Sequence, residues 1–154
     1  LAVTDVNVKG VQIGAYHALP YLKKSSRPCL INMCSLSSEY GVPSEASYSA
    51  SKFWVKGFTE ALNIEWERHG IYVCDIMPNF VATPMMQEAH GKIVDSIGIR
   101  LTAEDVSQTL WRAVQNRRRV HWEVDTWRPR LLRAMNKLLP ATVRRAAMKH
   151  LSGY

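Results

Sequence analysis

The sequence predicts an α/β fold, a parallel sheet flanked by helices, running on into a basic, amphipathic helical tail. Three observations predict it. Segments with helical periodicity alternate with short, continuously apolar runs, the pattern of a parallel sheet with crossover helices. At 154 residues, 47% hydrophobic and 21% charged, the chain has the size and composition of one globular domain with a real core. The charge is also unevenly placed. Residues 1–99 carry 8 Lys and Arg against 9 Asp and Glu, whereas residues 100–154 carry 12 against 4. The basic character therefore belongs to the last third. We divide the chain into a partial domain, 1–127, and a basic tail, 128–154.

Residues 2–24 read as the first helix. Val8, Val11, Ala15, Leu19 and Leu22 recur at three- and four-residue steps, and Lys23 and Lys24 suit a helix C-terminus. Gly10 and Gly14 leave a small-residue face open to close approach. Cys29 to Cys34, after a Ser-Ser-Arg-Pro turn, is a short apolar run that predicts a strand covered on both faces. A loop with Gly41 and Pro43 leads to a second long helix, about Ser47 to His69. Its buried stripe is Val55, Phe58, Leu62 and Trp66, and Gly70 is its stop. Ile71 to Met77 predicts another strand, ended by Pro78. Residues 79–101 show no clear periodicity and predict a long connection, functional or disordered. Thr102, with Asp105 three residues on, opens a third helix through Val106, Leu110, Ala113 and Val114. Val120 to Val124 predicts a last strand, and one or two amphipathic helices, divided at Pro140, follow Arg128.

Several classes have no support. No apolar run has the length of a membrane span, and Leu1 to Lys9 lacks a signal-peptide layout, so a cytoplasmic location is expected. Cys29, Cys34 and Cys74 sit in apolar settings, as reduced, buried cysteines do. No cysteine pair has metal-ligand spacing and the five histidines are scattered, so no metal site is expected.

The chemistry centres on Tyr48-Ser49-Ala50-Ser51-Lys52. A tyrosine and a lysine four apart share one helix face. A nearby ammonium favours phenolate, which predicts a Tyr48 pKa below its ordinary value and a side chain able to move a proton near neutral pH. Alone the pair is a weak signal, because a surface Tyr/Lys pair has the same spacing. Ser35 adds to it. It ends the first strand thirteen residues earlier, at the end of an α/β sheet that faces the ligand crevice, where its hydroxyl could donate to the same substrate oxygen. A lone serine there reads equally as a turn residue.

Four segments together resemble the short-chain dehydrogenase/reductase family. Ile31-Asn32-Met33-Cys34-Ser35 and Gly41, followed by Tyr48 to Lys52, resemble its strand, serine and YxxxK signature. Val6-Asn7-Val8-Lys9-Gly10 resembles its N-x-x-G segment, and Pro78-Asn79-Phe80-Val81-Ala82-Thr83 its P-G-x-V-x-T segment. The resemblance runs from about Leu1 to Val120. It implies the C-terminal half of a doubly wound, Rossmann-type domain that interconverts an alcohol and a carbonyl with NAD or NADP.

Residue roles follow from the resemblance. It makes Tyr48 the general acid/base, and has Lys52 lower the Tyr48 pKa and bind the nicotinamide ribose. It has Ser35 polarise the substrate carbonyl and Asn7 hold a water in the proton relay. The cofactor-binding set it implies is Tyr48, Lys52, Pro78, Asn79, Val81 and Thr83, with Thr83 and the backbone near Val81 contacting the carboxamide. Asn79 stands where the family has glycine, which suggests a backbone conformation costly to most residues and tolerated by asparagine. None of the glycines forms the cluster that a dinucleotide fold needs after its first strand. The resemblance therefore puts about half of the domain outside this sequence and leaves the first strand a bare edge, so the chain alone is not expected to be a stable, active monomer.

The partners expected are a small alcohol or carbonyl substrate and a second copy of the chain, as homodimer or tetramer. The association is expected through the first two helices, where Trp54, Phe58 and Trp66 supply surplus apolar surface. In the tail, Leu131, Leu132, Met135, Leu138 and Leu139 alternate with Arg130, Arg133 and Lys137. Residues 128–150 could pack on the domain or a neighbouring subunit, or rest on an anionic membrane. Nucleic-acid binding is not expected, since no motif supports it. The competing function is a non-catalytic module that binds a partner or membrane through these basic helices.

Overall fold

The computed structural model describes residues 2–87, 92–124, 134 and 138–154. Its sheet has three parallel strands in the order β1 (Cys29–Met33), β2 (Tyr72–Met77), β3 (His121–Glu123). Cys29 pairs with Tyr72 and Met33 with Ile76, while Asp75, Ile76 and Met77 pair with His121, Trp122 and Glu123. The parallel sheet is as expected from the strand–helix alternation.

β2 is central, and Val73 to Met77 are all buried. Successive side chains point to opposite faces, so the sheet has two cores. On one face Val73 packs with Ala15, Leu62, Trp66 and Ile71, which joins it to α2 (Val11–Leu22) and α3 (Ala46–Glu65). On the other, Cys74 and Ile76 pack with Ala113, Trp122 and Val124 under α6 (Ala103–Asn116). Burying a side chain such as Ile76 or Val73 stabilises the fold by about 1.5–3 kcal/mol each.

The first helix begins as a short turn, α1 (Ala2–Thr4), passes through a π-helical stretch, Asp5–Gly10, and continues as α2. The second helix ends in a 3₁₀ turn, Glu67–His69, stopped by Gly70 at φ 66°, where only glycine is unstrained. Thr102 and Asp105 form the expected capping box: the Asp105 N–H donates to the Thr102 hydroxyl at 3.2 Å, and the Asp105 carboxylate accepts from the Thr102 N–H at 2.8 Å.

β1 is the edge strand of the three, as expected, and is covered on both faces, Leu30 packing on one core and Ile31 on the other, with Met33 at its end 46% exposed. The structure corrects other expectations. Residues 79–101 are not wholly irregular, since they contain α4 (Pro84–Gln87) and α5 (Lys92–Ile97). These helices are short, and α5 is held by contacts distant in sequence, which no local period reveals. Ile93 and Val94 bury themselves with Val42, and Phe80, Met86, Ile97 and Met148 pack around them. Trp66 is not surplus surface: it is 6% exposed inside the core. Phe58 packs on that same core and stacks on Trp54 at 4.6 Å. Of the tail, α7 (Ala141–Ser152) starts after Pro140, and its Met148 joins the α5 cluster. Arg130 to Arg133, Met135 and Lys137 lie outside the described residues.

A polar clamp, buried at its sheet end and exposed at its helix end, joins α3 to the sheet. Asp75, fully buried on β2, faces the His121 ring, whose Nδ1 lies 3.1 and 3.0 Å from the two carboxylate oxygens. The other ring nitrogen reaches Glu60 of α3 at 2.9 Å. Beside it, the Asn32 amide donates to Thr59 at 2.9 Å, and Lys56 pairs with Glu39 at 2.7 Å.

Candidate active site

Ser35, just beyond β1, is held by backbone bonds that extend the β1–β2 ladder. Cys34 N–H donates to Ile76 O at 2.9 Å and Leu36 N–H to Pro78 O at 3.0 Å. The Ser35 oxygen then caps the 3₁₀ turn Leu36–Ser38, accepting from Ser37 N–H at 3.2 Å. Its hydroxyl points towards Pro78 O, 3.5 Å away. The loop after it is tied to α3 by Ser49, whose hydroxyl accepts from Val42 N–H at 3.0 Å.

Tyr48 lies in the first turn of α3, half-buried. Burial pushes its phenol above the ordinary tyrosine pKa, and the nearby Ser35 hydroxyl pulls it back only in part. The two hydroxyls expected to act on one oxygen are therefore neighbours. Lys52, one turn on and 8% exposed, places its ammonium 5.5 Å from the Tyr48 ring centre and donates to Met33 O at 2.9 Å. Burial holds its pKa below the ordinary lysine value, although nearby Cys34 raises it. The expected lowering of the Tyr48 pKa is thus not what the structure has. Lys52 is turned to a carbonyl, and desolvation drives each side chain towards its neutral form.

Asn7 lies in the π-helical stretch, a geometry often found at functional positions. Its amide donates to the Ser51 hydroxyl at 3.1 Å, and Ser51 donates in turn to Tyr48 O at 2.6 Å. It is therefore joined to the Tyr48–Lys52 turn through Ser51.

Pro78, Asn79, Val81 and Thr83 follow β2 at the same end of the sheet. Val81 bridges in parallel to Leu101, and Ala82 N–H donates to Leu101 O at 2.7 Å, so this stretch is anchored. Thr83 O accepts from Met86 N–H at 2.9 Å, opening α4. Asn79 does not have the left-handed backbone anticipated for a glycine substitute. Among the described non-glycine residues only Ser44 and Arg117 have positive φ, so asparagine is unstrained there.

Sequence reasoning missed two features. Ser51 was visible inside the YxxxK segment, but only its bonds give it a linking role. The Asp75–His121–Glu60 clamp left one trace, a carboxylate in an otherwise apolar strand.

The sequence profile of the short chain dehydrogenase family matches residues 1–93, and the chain belongs to that family. Human (3R)-3-hydroxyacyl-CoA dehydrogenase is 36% identical over 96 residues, 62% of this chain and 37% of that protein. Cyclopentanol dehydrogenase of Comamonas testosteroni is 31% identical over 86 residues, 56% of this chain and 34% of that one. The chain thus spans little more than a third of the length of these relatives.

Among solved structures, the 3-ketoacyl-(acyl-carrier-protein) reductase of Brucella melitensis, complexed with NADH, superposes with a TM-score of 0.73. It is 28% identical, over 82% of this chain and 56% of that one. A short chain dehydrogenase of Burkholderia cenocepacia J2315, in complex with NADP, superposes with a TM-score of 0.77 at 20% identity, over 95% and 57% of the two chains. The parallel sheet with its flanking helices is of the Rossmann type.

Proposed function

We propose that the intact protein is an NAD- or NADP-dependent oxidoreductase that interconverts an alcohol and a carbonyl on a small substrate. One observation carries the reading: Ser35, Tyr48 and Lys52 come together at the C-terminal end of β1, with Asn7 tied to the same helical turn. A phenol kept neutral by burial beside a serine hydroxyl can offer two O–H donors to one substrate oxygen, and the phenol can pass its proton on.

The residues present fit the nicotinamide end of a dinucleotide. Lys52 is a buried ammonium with donors beyond the one that it gives to Met33, suited to ribose hydroxyls. The anchored Val81–Thr83 stretch offers backbone groups and a hydroxyl to a carboxamide, with Pro78 and Asn79 lining its approach. The cofactor supplies or accepts the hydride. Ser35 and Tyr48 orient the substrate oxygen and move its proton, and Asn7 holds the helical turn that carries Tyr48.

In the intact protein, Tyr48→Phe should lower carbonyl reduction by about 10²–10⁴-fold while nucleotide affinity stays near that of the unmodified protein. Full turnover by the variant would assign the proton to another group.

We also propose that the intact protein associates as a dimer through the face of α2. Val6 of the preceding π-helical stretch and Ile13, Tyr16 and Tyr21 of α2 are 57–76% exposed, and nothing lies within 4 Å of a Cβ built on Gly14. An apolar face of this kind marks an interface, and two-fold pairing is the commonest arrangement. Light scattering should show a dimer that the Ile13→Glu, Tyr16→Glu double variant converts to monomer. A dimer indifferent to both changes would place the contact elsewhere.

A further inference from the structure

The opposite end of the sheet carries a second concentration of chemistry that the reaction above does not use. Arg117, Arg118 and Arg119 form the turn between α6 and β3, beside an open cleft of about 660 Å³ lined by Arg112, Gln115, Asn116, Arg118, Arg119 and Trp122. Among the described residues, no carboxylate lines it.

The turn is held firmly. Arg117 caps α6 in a left-handed conformation, φ 48°, a strained choice for a residue with a side chain. Its guanidinium donates to Val114 O at 3.2 Å and to Arg27 O at 2.8 Å. Arg27 donates to Val114 O and Gln115 O. These two arginines therefore satisfy the carbonyl end of α6, whose partial negative charge would otherwise repel an anion. On the far side of the turn the Trp122 indole N–H donates to Arg119 O at 3.1 Å and to the Tyr72 hydroxyl at 2.8 Å. Tyr72 itself donates to Arg119 O.

The charges left over face the cleft. Arg112 is braced by a 2.7 Å bond to Thr109, and Arg119 lies over the Trp122 ring, 5.3 Å from its centre. Arg118, exposed, has no hydrogen bond or ion pair among the described residues. Planar guanidiniums on a braced backbone, with amide donors from Gln115 and Asn116 beside them, suit the oxygens of a phosphate, which arginine grips with paired N–H bonds.

We propose that this cleft binds a phosphate-bearing anion, through Arg118 and Arg119 with Arg112 in support. The anion is a soluble phosphate ester or the phosphate of a lipid headgroup. The site lies at the opposite end of the sheet from Ser35 and is independent of the oxidoreductase reading.

Calorimetric titration of the intact protein with inorganic pyrophosphate tests it, alongside sedimentation with phosphatidylcholine vesicles that contain or lack phosphatidic acid. The Arg118→Gln, Arg119→Gln variant serves as comparison. Its side chains are exposed and outside the core, and its thermal melt checks that it folds. Comparison with the variant also separates this site from any binding of pyrophosphate where the dinucleotide sits. The expected result is a binding event, or a phosphatidate-dependent sedimentation, that weakens at least about tenfold in the variant and with rising salt. Pyrophosphate binding without sedimentation assigns a soluble ligand, and sedimentation assigns a lipid. Equal behaviour of variant and unmodified protein in both assays, or no binding in either, overturns the proposal.

Discussion

The two halves of α3 use their polar groups in opposite ways. In its first turns Tyr48 and Lys52 are desolvated and incompletely paired, and burial biases both towards their neutral forms. Two to three turns on, Thr59 and Glu60 belong to bonds that are fully made, Thr59 with Asn32 and Glu60 with His121, which also holds Asp75. At His121 burial alone would lower the imidazole pKa. The bond and charge of Asp75, with the bond to Glu60, outweigh it and raise the pKa above the ordinary histidine value. Unsatisfied, perturbed groups mark a site poised for chemistry, whereas satisfied ones rigidify. One helix thus carries a desolvated end, where the proposed chemistry lies, and an anchored end.

The largest test removes the anchor. Asp75→Ala leaves the His121 imidazole without the carboxylate that holds it, and breaking a buried pair costs about 3–5 kcal/mol. Denaturant unfolding of the intact protein should show a loss of that size. A loss below about 1 kcal/mol would mean that the clamp is ornamental to stability, and the contrast between the two halves would fail.

A smaller effect is expected from pH. The folded pKa of His121 lies above its unfolded value near ~6.5, so the protonated ring favours the folded state. That stability is present in full below the unfolded pKa and is lost as pH rises through the raised folded one. Unfolding free energy compared between the protein and its His121→Gln variant should therefore diverge on the acidic side of neutrality and converge at alkaline pH. The opposite trend would show that the imidazole is held neutral.

The smallest expected change is at the desolvated end. Tyr48→Phe removes a single hydroxyl from a side chain that stays half-buried, so stability should shift by no more than about 0.5 kcal/mol, even though turnover is expected to fall steeply. A large destabilisation would make Tyr48 a structural residue as well and erase the difference between the two ends.

The long elements were legible because their signals are local. The 3.6-residue stripe of Val55, Leu62 and Trp66, the glycine stop at Gly70 and the Thr102–Asp105 box each depend on neighbours within a turn or two. The short helices Pro84–Gln87 and Lys92–Ile97 left no such stripe, since a helix of four or six residues has too few positions to show a period. Tyr48 and Lys52 were legible as a pair by spacing. The direction of the Tyr48 shift was not, because spacing reports that two side chains share a helix face and says nothing of what surrounds them.

The sequence by itself determined the α/β alternation, the family and the identity of Ser35, Tyr48, Lys52 and Asn7 as candidates, because periodicity and motif order are properties of the chain. Tertiary structure alone decided three things. The Lys52 ammonium turns to Met33 O and Asn7 bonds to Ser51, and Asp75, His121 and Glu60, from three different elements, meet in one clamp. The reason is physical. Desolvation and hydrogen bonding depend on which groups packing brings together across 46 or 61 residues of chain, a distance over which local pattern carries no information.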